Sequence, residues 1–198
     1  MRTGKHYVTF CISFENVNSL LDFGVVRPIK DLDKICHGSF DPLCWHRHDH
    51  KHREQLLAEK TDEWGNDLHC CCFESERGRC FCADWSDEDH GAGDDDDWVG
   101  DGWDGMEPLN GIGDCTVGLL LDLNRGTLSV FKDDRMLGVM KEGLTGAYCW
   151  YVCCTEATCE VEIERGMPPL TRNDGMVGAN GKELDLVVKN LIGCIGGG

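Results

Sequence analysis

Three clusters in this chain have the residue types to do chemistry. His46, His48, His50 and His52 alternate in Trp-His-Arg-His-Asp-His-Lys-His-Arg. On an extended chain all four point to one side; on a helix 46/50 and 48/52 become i, i+4 pairs on different faces. Neutral imidazoles so spaced bind zinc, copper or nickel. Arg47, Lys51 and Arg53 share the segment and repel a cation, so the expectation is a solvated, weakly pH-responsive loop. Cys70, Cys71, Cys72, Cys80 and Cys82 flank a turn at 75–78. With Cys72 opposite Cys80 and Cys70 opposite Cys82, four thiols share one sheet face, a zinc set in type; a one-residue slip puts the pairs on opposite faces. Phe73, Phe81 and Trp85 mark at least one face as core, and these cysteines are expected to be small core residues. From Asp87 to Asp104 carboxylates are scattered among glycines, but Asp94-Asp95-Asp96-Asp97-Trp98-Val99-Gly100 lacks the spacing of a calcium loop and reads as an acidic surface loop.

Catalytic motifs are missing. There is no Gly-x-Ser-x-Gly elbow, no phosphate loop and no His-Glu-x-x-His. The expectation is a protein that is not an enzyme and holds no cofactor and no metal. The alternative is a metal-binding or redox-responsive protein using the run from His46 to His52 or the clustered cysteines.

The elements that must position these residues are strands. From 113 to 166, short apolar runs alternate with turn signals. Val117 to Leu123 is a buried-type run, Asn124-Arg125-Gly126 a tight turn, Thr127 to Lys132 the return strand, and Asp133-Asp134 the next turn before Met136 to Val139. Residues 4–26 read as two strands around a turn at 15–19, and Pro28 ends the second. Residues 68–74 and 79–85 read as a hairpin. Between them, 29–63 is a long insertion with a helix candidate at 53–60. Residues 86–112 form the acidic, Gly-rich loop. After Pro168-Pro169 the composition turns polar. Residues 171–181 read as a linker, and Leu184, Val187, Val188 and Leu191 fall on one helical stripe. The predicted organisation is one domain over 1–169 and a linker with a short amphipathic tail over 170–198.

Composition narrows the class. A chain of 198 residues, 41% hydrophobic, with six Trp and seven Phe, is one globular domain. A net charge of −17 argues against nucleic acid and anionic membrane as partners and admits basic protein surfaces. No run of 18 apolar residues and no apolar signal region occur. The fourteen cysteines sit largely in strand-like runs, so reduced thiols and a cytoplasmic or otherwise intracellular location are expected.

The run Leu-Leu-Asp-Leu-Asn-Arg-Gly-Thr-Leu-Ser-Val-Phe-Lys (120–132), followed by Leu137-Gly138 and Gly143-Leu144, resembles the second half of a SPRY domain. Gly4-Lys5-His6-Tyr7-Val8-Thr9-Phe10 resembles that family's opening strand, with Val8 where Trp is usual. Phe23-Gly24-Val25-Val26 and Glu63-Trp64-Gly65 resemble its Val-Gly-Val strand and Ser-Trp-Gly turn. The likeness spans roughly residues 4–166. It implies an all-β fold, a bent β-sandwich of two antiparallel sheets of the concanavalin-like jelly-roll kind. It also implies a non-enzymatic module that binds a short peptide or partner surface through loops at one end, with ubiquitin-ligase components as partners by analogy. Carried over by position, the pocket draws on Arg27 and Pro28, on Trp64, and on Thr155, Glu156 and Ala157. Trp98 and Trp103 are further anchors, or else cover for the core. Some peptide-binding members have Trp-Gly where this chain has Glu156-Ala157, and a Glu there favours a basic ligand. Family members carry more chain before the opening strand, so the chain is expected either to be a fragment or to lack an edge strand.

Overall fold

The computed structural model describes residues 1–14, 21–29, 57–84, 100–109, 113–154, 159–169 and 186–190. Ten strands lie among them: β1 (Lys5–Phe14), β2 (Leu21–Val26), β3 (Leu68–Glu74), β4 (Cys80–Asp84), β5 (Gly113–Asp122), β6 (Thr127–Lys132), β7 (Arg135–Lys141), β8 (Cys149–Cys154), β9 (Cys159–Arg165) and β10 (Leu186–Asn190). They build two five-stranded sheets, ordered β7-β6-β5-β1-β9 and β10-β8-β2-β3-β4. Every pairing is antiparallel except that of β10 with β8. The all-β sandwich expected from the strand-and-turn pattern is the observed architecture. No helix among the described residues is long and apolar enough to cross a membrane.

Period-two alternation sets which side chains meet between the sheets. Val8, Phe10 and Ile12 of β1 and Val117, Leu119 and Leu121 of β5 point inward and are buried. Leu21, Phe23 and Val25 of β2 and Trp150 and Val152 of β8 answer them from the second sheet. The Phe10 and Phe23 rings, one from each sheet, stand 5.0 Å apart. Burying side chains of this size stabilises by about 1.5–3 kcal/mol each. The two sheets differ on their outer faces. β9 turns Glu160, Glu162 and Glu164 to solvent, whereas Cys70, Cys72, Phe81 and Tyr151 on the outer face of the second sheet are buried.

Local chemistry fixes the turns. Asp122 Oδ1 accepts from the Asn124 and Arg125 amides at 3.1 and 3.2 Å, and Gly126 (φ 70°) closes that turn. Between β6 and β7, Asp133 (φ 48°) and Asp134 (φ 62°) form a two-residue hairpin loop with both central residues left-handed, which matches the twist of the strands.

Two features of the pairing are not given by the strand pattern, and one expectation needs correction. β1 and β2 are both strands but do not pair; the chain changes sheet between them. β1 lacks no neighbour, being paired on both sides by β5 and β9. Residues 186–190, expected on a helical stripe, form β10, and Val187 pairs with Tyr151 and Val188 with Val152. Over so few residues Leu-Val-Val suits either period, and the free edge of β8 supplies the partners that decide it. The second sheet therefore includes residues assigned to the tail. Of the helix candidate at 53–60, residues 57–59 form one turn, closed by Lys60 N to Leu57 O at 3.2 Å; 53–56 lie outside the described residues.

Candidate functional site

Arg27 follows the last residue of β2 and is completely buried. Its amide bonds to His69 O at 2.9 Å. Its guanidinium has five N–H groups, and five carbonyl oxygens receive them. Nε donates to Leu68 O (2.9 Å), Nη1 to Thr145 O (2.7 Å) and Ala147 O (3.0 Å), and Nη2 to Asn66 O (3.0 Å) and Asn66 Oδ1. The Tyr148 ring lies 4.0 Å from its central carbon and the Trp64 ring 6.0 Å. Burial lowers the Arg27 pKa, opposed by the neighbouring Tyr148 and Asp67. One side chain thus clasps the end of β2, the segment 66–68 and the segment 145–147.

The same end is held by backbone contact. A short 3-10 turn, Asp62–Trp64, starts from Thr61 and is followed by Gly65 (φ 48°). A Cβ on Gly65 would lie 2.7 Å from the Gly146 amide nitrogen, and one on Gly146 (φ 83°) 2.7 Å from that of Gly65. Only glycines allow the two loops this approach. Ala147 N reaches Glu63 O at 2.8 Å and Asn66 Nδ2 reaches Gly143 O at 2.9 Å. Outside this frame stand the exposed Asp62, Glu63, Asp67 and Glu142. Arg2 pairs with Glu63 at 3.0 Å and Lys60 pairs with Asp67. Exposed pairs of this kind contribute little, and the surface keeps a negative balance.

Of the residues expected to form a pocket, the described ones fall at two ends of the second sheet, Arg27, Pro28 and Trp64 at one and Trp103 at the other. Trp64 is buried beneath its turn and Pro28 is half-buried beside Arg27. None of the Arg27 donors is left for a partner. Trp103 belongs to the other end of the second sheet, where its Nε1 donates to Gly78 O at 2.8 Å and its ring meets Phe73 edge-on at 6.4 Å. It acts as core cover. Thr155, Glu156, Ala157 and Trp98 lie outside the described residues. The register does place the strand end before them: Cys154 pairs with Leu21 and Cys149 with Val26. The chain therefore leaves β8 at the end of the sheet opposite Arg27. The His46–His52 run and residues 86–99 of the acidic loop also lie outside the described residues.

The hairpin thiols adopt the slipped register. Cys71 faces Cys82, Phe73 faces Cys80 and Cys72 faces Phe81. The four-thiol face is replaced by two groups. Cys70 and Cys72, with sulfurs 3.2 Å apart, lie on the outer face. Cys71, Cys80 and Cys82 lie on the inner face, with Cys71 Sγ to Cys80 Sγ at 3.8 Å and Cys80 Sγ to Cys82 Sγ at 3.6 Å. Hydrogen bonds from Cys71 and Cys80, then Lys141, pull the Cys82 pKa down. The bond to Cys80 and burial push that of Cys71 up. Only the pairing of β3 with β4 groups these three; the alternation Cys80-Phe81-Cys82 was the available signal.

No protein-family model matches this chain, and no curated protein matches it either. Its class is stated by its structure alone: an all-β sandwich, rich in cysteine, with one end drawn tight around a buried arginine.

Proposed function

We propose that this protein is a non-enzymatic protein-interaction module that binds a basic peptide or basic partner surface at the Arg27 end of the sandwich. The observation that supports it most is the five-carbonyl cage around Arg27. Loops tied in this way lose little further freedom when a partner arrives, so more of the contact energy appears as affinity. The negative balance of Asp62, Glu63, Asp67 and Glu142 supports a cationic ligand. The resemblance of residues 4–166 to SPRY domains supports a binding role, with recruitment of ubiquitin-ligase substrates as its finer form.

The test is a peptide-library screen on the full chain, with Asp62→Lys/Glu63→Lys and Arg27→Lys beside it. The expected result is capture of a basic motif, weakened at least tenfold by the charge reversal. Lysine has three donors on a compact head and cannot serve all five carbonyls, so Arg27→Lys should lower unfolding stability by about 3 kcal/mol, read by urea denaturation. A motif bound equally well by the charge-reversed protein, or no motif at all, overturns the placement.

A further inference from the structure

We infer that Cys71, Cys80 and Cys82 form a binding site for one divalent thiophilic metal ion of the zinc class. The three sulfurs all lie within 4.8 Å of one another, and two of the three separations are 3.6 and 3.8 Å. Ligands at about 2.3 Å in tetrahedral directions from zinc are about 3.8 Å apart. The third edge needs to close by no more than about 1 Å to complete the face. The strands supply this geometry. On β4 two cysteines alternate onto the inner face, and the pairing with β3 sets Cys71 directly across from Cys82. This uses neither the Arg27 end nor its loops.

Charge fits a divalent ion better than a monovalent one. Lys141, at the end of β7, is half-buried and brings the charge of its ammonium group to bear on Cys82. Three thiolates and a divalent ion carry one net negative charge, which Lys141 balances. With a monovalent ion a negative charge remains beside apolar core. Cys71 and Cys80 are buried, while Cys82 is half-exposed and gives the ion its way in. Coordination releases the thiol protons to solvent as each sulfur takes the ion, so affinity rises with pH.

The probe is cobalt(II), a spectroscopic stand-in for zinc, titrated into the reduced full-length protein without a His-tag. One equivalent should produce a sulfur-to-cobalt charge-transfer band, which one equivalent of zinc removes. The histidine run produces no such band. Cys80→Ser and Cys82→Ser should each weaken cobalt binding at least tenfold, while Cys72→Ser, on the outer face, leaves it within about twofold. Near-ultraviolet circular dichroism checks that each variant is folded. The proposal is overturned by a folded wild type with no band. It is also overturned by a band that persists in folded Cys80→Ser and Cys82→Ser, or one that Cys72→Ser abolishes equally.

Discussion

His69 shows how a single residue couples this fold to pH. It is buried on β3, its ring 5.3 Å from that of Trp64 and close to Arg27. Burial and then the Arg27 charge hold its pKa well below the ordinary value. In the unfolded chain the same imidazole takes up a proton as pH falls through about 6.5. The unfolded state then binds more protons than the folded one, so stability is fully present above that pH and declines below it, by up to about 1.4 kcal/mol per pH unit for one group. The urea midpoint should fall between pH 6.5 and 5, and His69→Phe should remove about one proton's worth of that slope. Equal slopes for the two proteins would refute this. Arg27 teaches a related lesson. Arginine is almost never fully buried, so composition argues for the surface. Its acceptors come from segments about 40 and about 120 positions away, and no local pattern announces them.

At the scale of elements, the hairpins carry the clearest test. Asp133 and Asp134 both hold left-handed backbone without being glycine. Asp133 has a reason to stay, since its Oδ1 accepts the Thr116 amide at 2.9 Å. Asp134 makes no side-chain hydrogen bond to any described residue, and Asp134→Gly should stabilise the protein by about 0.5–1 kcal/mol, seen as a higher thermal midpoint. An unchanged or lower midpoint would show that the turn is not strained. These turns and the strand alternation from 113 to 165 were legible, because both depend on neighbours in sequence. Pairing was not. Phe10 and Phe23 look like two arms of one hairpin until the sheets form. The cysteine register required knowing which residue of β3 faces which residue of β4, and the segment around Val187 and Val188 was too short for its period to decide.

For the molecule as a whole, the edges of the sheets matter most. β10 lies parallel along β8 and covers what is otherwise an open row of backbone donors and acceptors. A chain ending at residue 169 should therefore self-associate, with a weight-average mass that rises with concentration in sedimentation equilibrium while the full chain stays constant. A shortened chain that remains monomeric at every concentration would remove β10 from that role. The central place of β1 has a consequence in time. Its partners are residues 113–122 and 159–165, so β1 is bonded on neither side until at least residue 122 has been made. At about 5–20 residues per second, a ribosome holds β1 waiting for roughly 5–20 s before β5 is complete. Throughout that interval Val8, Phe10 and Ile12 are in water beside no finished sheet. The nascent chain thus exposes an apolar strand well before the strands that cover it, which favours chaperone contact while synthesis is still under way.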